Sequence, residues 1–137
     1  MGEFQHQLEE YIESHAKDWK ENVLQQSPSW LKQGLNDRAA TRDMDWGIKV
    51  PIDDAKGKVI YVWFEAVLGY ISATKHWAQN NGLDEDAWKD WWSEPKGEDR
   101  NYVAFLGKDN IVFHTLIFPM LLMSKGEMIL PQYVPAN

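Results

Sequence analysis

Phe4, Leu8, Ile12 and Ala16 recur every fourth residue, with Tyr11, Trp19 and Val23 nearby and Glu, Gln and Lys between them. This spacing predicts an amphipathic helix with a break near Ala16. Ser27-Pro28-Ser29-Trp30-Leu31 predicts the start of a second, short helix. A serine side chain can cap free N–H groups, proline suits the first helical position, and Gly34 suits the end. Residues 36–47 have little periodicity and read as a loop, 48–52 as a short extended segment and 53–57 as a turn.

Beyond that turn the pattern changes. Val59-Ile60-Tyr61-Val62-Trp63-Phe64 is an unbroken run of β-branched and aromatic residues. Without alternation, such a run predicts a parallel strand covered on both faces. A helix is expected over 66–79, stopped by Asn80-Asn81-Gly82, and a shorter one over 84–92 with Trp88, Trp91 and Trp92 on one face. A polar loop, 93–100, leads to a second apolar run, 102–106. Gly107-Lys108-Asp109 reads as a tight turn, 110–125 as a strongly apolar helix ended by Gly126, and Met128-Ile129-Leu130-Pro131 follows. The order strand, helix, strand, helix predicts an α/β domain whose parallel sheet contains 59–64 and 102–106. The first 57 residues are more polar and irregular, which puts a boundary near Gly57.

Composition narrows the function. The 137 residues carry 14 basic and 21 acidic side chains, net −7, a poor balance for gripping a phosphate backbone. Eight tryptophans supply bulk, and most are expected to pack. The lack of cysteine excludes a disulfide framework, a cysteine zinc site and a thiol nucleophile, and fits a reducing cytoplasm. His6, His15, His76 and His114 lack ligand spacing, so no metal site is expected. No apolar run approaches the roughly 18 residues of a membrane span. Met1-Gly2-Glu3-Phe4-Gln5 lacks the features of a signal peptide.

Ligands of open α/β sheets bind beyond the carboxyl ends of the strands. The first end carries Trp63, Glu65, Ala66 and Tyr70; the second carries Gly107, Lys108, Asp109 and, a turn later, His114. Neighbouring strands would bring these into one crevice. Gly107 leaves room for a ligand at the turn. Asp109 is either a helix cap or an acceptor for hydroxyls such as those of a ribose. Lys108 reads as a solvated surface lysine. His114, among Ile111, Phe113, Leu116, Ile117 and Phe118, is either a core histidine bonded to the backbone or a polar contact in an apolar pocket. Trp63 and Tyr70 either wall that pocket or pack in the core. Arg42 either forks onto a phosphate or carboxylate, or pairs with Asp43 or Asp45. No P-loop or Ser-His-Asp signal is present.

Together these segments resemble methionyl-tRNA synthetases. Thr41-Arg42-Asp43-Met44-Asp45-Trp46-Gly47-Ile48-Lys49-Val50-Pro51 is similar to that family's TRDLDWGIPVP. The stretch from Val62 to Ser72 resembles its VWFDAPIGYIS, and the stretch from Gly107 to His114 its GKDNIVFH. Leu130-Pro131 through Val134-Pro135-Ala136-Asn137 is similar to the strand leading to its last catalytic loop. The resemblance covers nearly the whole chain. It implies a partial Rossmann-type parallel sheet with flanking helices, preceded by a mostly helical insertion remnant: residues 1–57 end the connective insertion, and 58–137 are the second half of the class I catalytic domain.

It also implies roles. The complete enzyme would join methionine to ATP, used with Mg2+, forming methionyl-adenylate, and then charge tRNA. Trp63, Ala66, Tyr70, His114 and Phe118 fall where the family builds its methionine pocket, Gly107 and Asp109 where it holds the adenosine ribose, and Arg42 where an arginine approaches the ATP end. Aromatic walls suit a flexible, polarizable thioether. Glu65, Val67 and Lys49 depart from the family's Asp, Pro and Pro; without that proline the backbone beside Ala66 is freer. The HIGH and KMSKS motifs, the zinc knuckle and the anticodon-binding domain do not occur in these residues, so the main tRNA surface is expected elsewhere and the chain alone is expected to be inactive. The alternatives are a non-catalytic remnant that binds a nucleotide, an amino acid or a partner, and a generic nucleotide-binding α/β domain; the paired motifs argue against the latter.

Overall fold

The computed structural model describes residues 2–35, 39–93 and 100–137; parts of the loops expected at 36–47 and 93–100 lie outside the described residues. The fourfold apolar spacing produces α1 (Gln5–Ser14), which buries Leu8, Tyr11 and Ile12. The helix ends before Ala16, as the pattern requires. The second helix begins earlier than expected. α2 (Glu21–Lys32) has Pro28 inside it, and Ser27 is buried mid-helix rather than at a cap. Val23, Ser27 and Leu31 are spaced by four and all buried, so tertiary packing of that stripe overrides the local signal for a start at Ser27. Gly34, at φ +79°, ends the helix in the left-handed conformation glycine tolerates.

The expected loop contains a strand. β1 (Thr41–Asp43) pairs antiparallel with β2 (Lys58–Ile60), Arg42 opposite Val59. Gly47 adopts φ +139°, a conformation that strains any other residue, and a Cβ there would sit a tight 3.0 Å from Val59 Cβ.

The run 59–64 is not one strand. β2 stops at Ile60, α3 (Val62–Glu65) and a 3-10 turn (Ala66–Leu68) follow, and α4 (Gly69–Asn80) continues to the predicted stop. β-propensity records how well side chains pack on a paired surface; β2 pairs with β1 over three residues and on its other side bridges Lys49 through Val59, and its register with β1 ends at Ile60. β2 and the second apolar run also lie in different sheets, contrary to the expected parallel pairing. β3 (Tyr102–Val103) instead pairs in parallel with β4 (Pro131–Tyr133), Tyr102 opposite Pro131. A bridge between Leu106 and Ala136 prolongs the pair. The helix between β3 and β4 supplies the crossover that a parallel pair needs. It starts with a 3-10 turn (Lys108–Asn110), passes through a π-helical turn (Phe113–Ile117) and ends as α6 (Phe118–Lys125).

Among the described residues, two clusters make the core. Residues of α1 and α2 pack on Ile111, Leu116, Met120, Val134 and Ala136, so segments on both sides of residue 57 share one apolar interior. The second cluster joins Val67, Trp92, Phe118, Leu122 and Ile129. The expectation that most tryptophans pack fails. Trp46, Trp63, Trp77 and Trp91 are exposed. The three tryptophans expected on one face divide around α5 (Lys89–Trp92): Trp92 is buried, while Trp91 turns outward, edge-on to Trp77. A helix this short cannot direct three indoles to one side.

Candidate functional site

The π turn sends three consecutive side chains in three directions. Phe113 meets Trp63, with ring centres 5.5 Å apart. His114 meets Tyr70, and Thr115 points into the interior between α2 and the crossover helix. π turns are uncommon and recur at functional sites.

His114 is buried, and both ring nitrogens are engaged. Nδ1 lies 2.9 Å from the carbonyl oxygen of Asn110, which can only accept, so Nδ1 carries the proton. Nε2 lies 2.9 Å from the Tyr70 hydroxyl. With Nδ1 protonated, the neutral ring accepts from Tyr70 at Nε2. Burial lowers the imidazole's pKa from its ordinary value, and the Asn110 hydrogen bond opposes this only in part. The ring is therefore uncharged at neutral pH, and its tautomer is set by a backbone atom.

Around this pair stand aromatic rings. Tyr70 lies 6.0 Å from Phe118, and Phe118 touches Trp92 and Tyr102 edge-on from behind. Phe118 is fully buried, whereas Tyr70 and Trp63 are about half exposed. Ala66 lies exposed in the 3-10 turn between them, and Val67 next to it is buried in the second core cluster. Burial also pushes the Tyr102 hydroxyl well above the ordinary phenol value. Trp63, Tyr70, His114 and Phe118 thus come together, although the strands expected to assemble them are not neighbours. Helix packing does it instead: α3 and α4 lie against the crossover helix.

The remaining candidates lie apart. Asp109 is exposed and lines a cavity of about 330 Å³ with Trp30, Tyr61, Phe64 and Phe113. Phe113 lines this cavity and also contacts Trp63. Asp109 lies within the first 3-10 turn, which has no side-chain cap. Gly107 has φ −77°, and a Cβ there would meet nothing within 4 Å, so no contact within the described residues requires glycine. Lys108 is solvent-exposed, as expected.

The Arg42 guanidinium stacks on Tyr61, 3.7 Å from the ring centre, and Nη1 donates to the carbonyls of Ala39 and Thr41. Asp43 pairs instead with Lys58 at 2.7 Å. The hairpin around Arg42 borders a depression of about 580 Å³ that also takes in Trp46, Val62 and Glu65.

Sequence reasoning missed Asn110 and Phe113 as parts of the site. Asn110 acts through its carbonyl, which any residue has; only its place four residues before His114 could have signalled it. Among the described residues, no three His, Asp or Glu side chains gather as metal ligands, and no helix is long and apolar enough to cross a membrane.

The family model for class I tRNA synthetases (M) matches residues 1–137. The chain belongs to that family. Methionine–tRNA ligases are among its curated relatives. That of Chlorobium limicola is 56% identical over 129 residues, covering 93% of this chain and 18% of its own length. That of Chloroherpeton thalassium is 54% identical over 136 residues, covering 98% of this chain and 19% of its own. This chain therefore spans about a fifth of the length of these relatives. Among solved structures, Mycobacterium tuberculosis methionyl-tRNA synthetase bound by methionyl-adenylate superposes with a TM-score of 0.74 at 24% identity, over 98% of this chain and 24% of that one. Its apo form gives 0.73 at 25% identity, over 98% of this chain and 25% of that one. These likenesses establish the fold.

Proposed function

We propose that this chain supplies the methionine side-chain pocket and part of the nucleotide site of a cytoplasmic methionyl-tRNA synthetase. In the complete enzyme, methionine and ATP with Mg2+ form methionyl-adenylate and pyrophosphate, and the methionyl group passes to tRNA. Residues 1–57 are then the end of the connective insertion and 58–137 the second half of the catalytic domain, packed on a shared core.

The observation that carries this reading is the hydrogen-bonded series Tyr70, His114 and Asn110, set among Trp63, Phe113 and Phe118. A methionine side chain is apolar, flexible and polarizable, so ring faces suit it, with one fixed polar group for orientation. A neutral imidazole provides that group without burying a cation. Trp63, Ala66, Tyr70, His114 and Phe118 hold the side chain. Gly107 and Asp109 hold the ribose, the carboxylate accepting from its hydroxyls. Arg42, held by Tyr61 and two carbonyls, faces the ATP end.

The test is steady-state kinetics of pyrophosphate exchange in the full-length enzyme carrying this segment. His114→Ala should raise the KM for methionine and leave that for ATP nearly unchanged. Asp109→Ala should do the reverse, at about 1–3 kcal/mol for lost hydroxyl partners. If His114→Ala lowers the Tm but leaves methionine affinity intact, His114 is only a core histidine and the reading fails.

A further inference from the structure

Ser27 contributes nothing to the pocket and lies in a different part of the chain, yet it reaches the turn that carries His114. It is completely buried, as is Thr115. Their hydroxyl oxygens are 2.8 Å apart. The direction of this bond can be worked out. Thr115 Oγ1 gives its single proton to the carbonyl of Ile111 at 2.9 Å. Ser27 Oγ must therefore donate to Thr115, and Thr115 then both donates and accepts. Thr115 directly follows His114 in the π turn. The turn interrupts the α-helical pattern between Ile111 and Lys125, so side-chain bonds to it bear on its register. Ser27 sits between Val23 and Leu31 on the buried stripe of α2, where an apolar residue would ordinarily pack. The hydroxyl there is satisfied by Thr115, which stands opposite.

We propose that Ser27 is a positioning residue: its bond to Thr115 fixes the π turn against α2 and so sets the orientation of His114 in the candidate methionine pocket, an inference that rests on the reading of that pocket given above. The hydroxyl pair ties a helix of residues 1–57 to the ring that meets the substrate. A shift of the turn moves His114 Nε2 away from Tyr70 and alters methionine recognition without touching the Asp109 side.

The test uses the full-length enzyme carrying this segment, with KM for methionine and for ATP and the Tm measured for each variant. Ser27→Ala should raise the methionine KM by about fivefold, the loss of one hydrogen bond, with the ATP KM within about twofold of the parent. Thr115→Val should match it, and the double variant should be no worse than either single one. Val23→Ala, one turn earlier on the same stripe and with no hydroxyl to offer Thr115, controls for simple destabilisation. It should lower the Tm at least as much and leave the methionine KM unchanged. Equal methionine effects from Val23→Ala and Ser27→Ala, or none from Ser27→Ala, overturn the proposal. Parallel measurement of His114→Ala separates the two levels. If His114→Ala impairs methionine use and Ser27→Ala does not, only the positioning role falls. If His114→Ala has no effect on methionine, the pocket assignment falls, and the role of Ser27 falls with it.

Discussion

The crossover helix and the β1–β2 hairpin are made of similar residues and end in opposite surroundings. Ile111, Leu116 and Phe118 on the helix are fully buried. Trp46, Ile48 and Ile52 in the hairpin are 84%, 54% and 62% exposed. The helix is covered from several sides: by α1 and α2, by the rings from α3 and α4, and by the chain end beyond β4. The hairpin has two strands of three residues each and one further bridge, Lys49 to Val59, too little sheet to cover its own side chains. Hydrophobic character therefore marks what can be buried, while the number of neighbouring elements decides what is. At the candidate site, His114 and Phe118 on the helix meet Tyr70, whereas Asp109 and Arg42 line two other concavities.

The sharpest test of this contrast is catalytic. A pocket wall and a ribose contact do not by themselves stabilise charge building on the α-phosphate and the departing pyrophosphate. Each preorganised donor to such charge is worth about 10²–10³ in rate. The 137-residue chain by itself should therefore show methionine-dependent ATP–pyrophosphate exchange no higher than the same chain carrying Asp109→Ala and His114→Ala. Exchange well above that control would mean that the crossover helix and hairpin hold more of the machinery than their geometry suggests.

Stability should follow the same division. Leu116→Ala empties a site with no solvent exposure and should cost about 2–5 kcal/mol. Trp46→Ala removes a larger side chain that is 84% exposed and should stay within about 0.5 kcal/mol. Chemical denaturation of both variants compares them directly. Similar losses would mean that the hairpin tryptophan is covered in solution.

The smallest expected effect is pH dependence through His114. Its folded pKa is lowered by burial, so on acidification the unfolded chain takes up the proton first. Stability from this residue is then complete above the ordinary histidine value of 6.5 and declines as pH falls from there toward the lowered folded value. Thermal midpoints should drop over that interval, and His114→Gln should flatten the dependence. An identical slope in the variant would assign the acid sensitivity to other groups.

The sequence determined local features set by short-range chemistry. The spacing of Leu8 and Ile12 specifies α1, and Gly34, Gly82 and Gly126 end helices at positive φ because only glycine adopts that backbone at no cost. The motif strings marked Trp63, Tyr70 and His114 as candidates, and the family resemblance added Phe118. The tertiary structure alone decided what depends on neighbours. Residues 62–64 left the strand state where the pairing of β2 with β1 ends at Ile60, and Ser27 became an interior hydrogen-bond donor instead of a cap because Thr115 stands opposite. The pairing of β3 with β4 rather than β2, and the π turn that separates Phe113, His114 and Thr115, likewise follow from which surfaces meet. Strand pairing and register are long-range energies, summed over residues far apart in the chain, and periodicity in a short window carries no record of them.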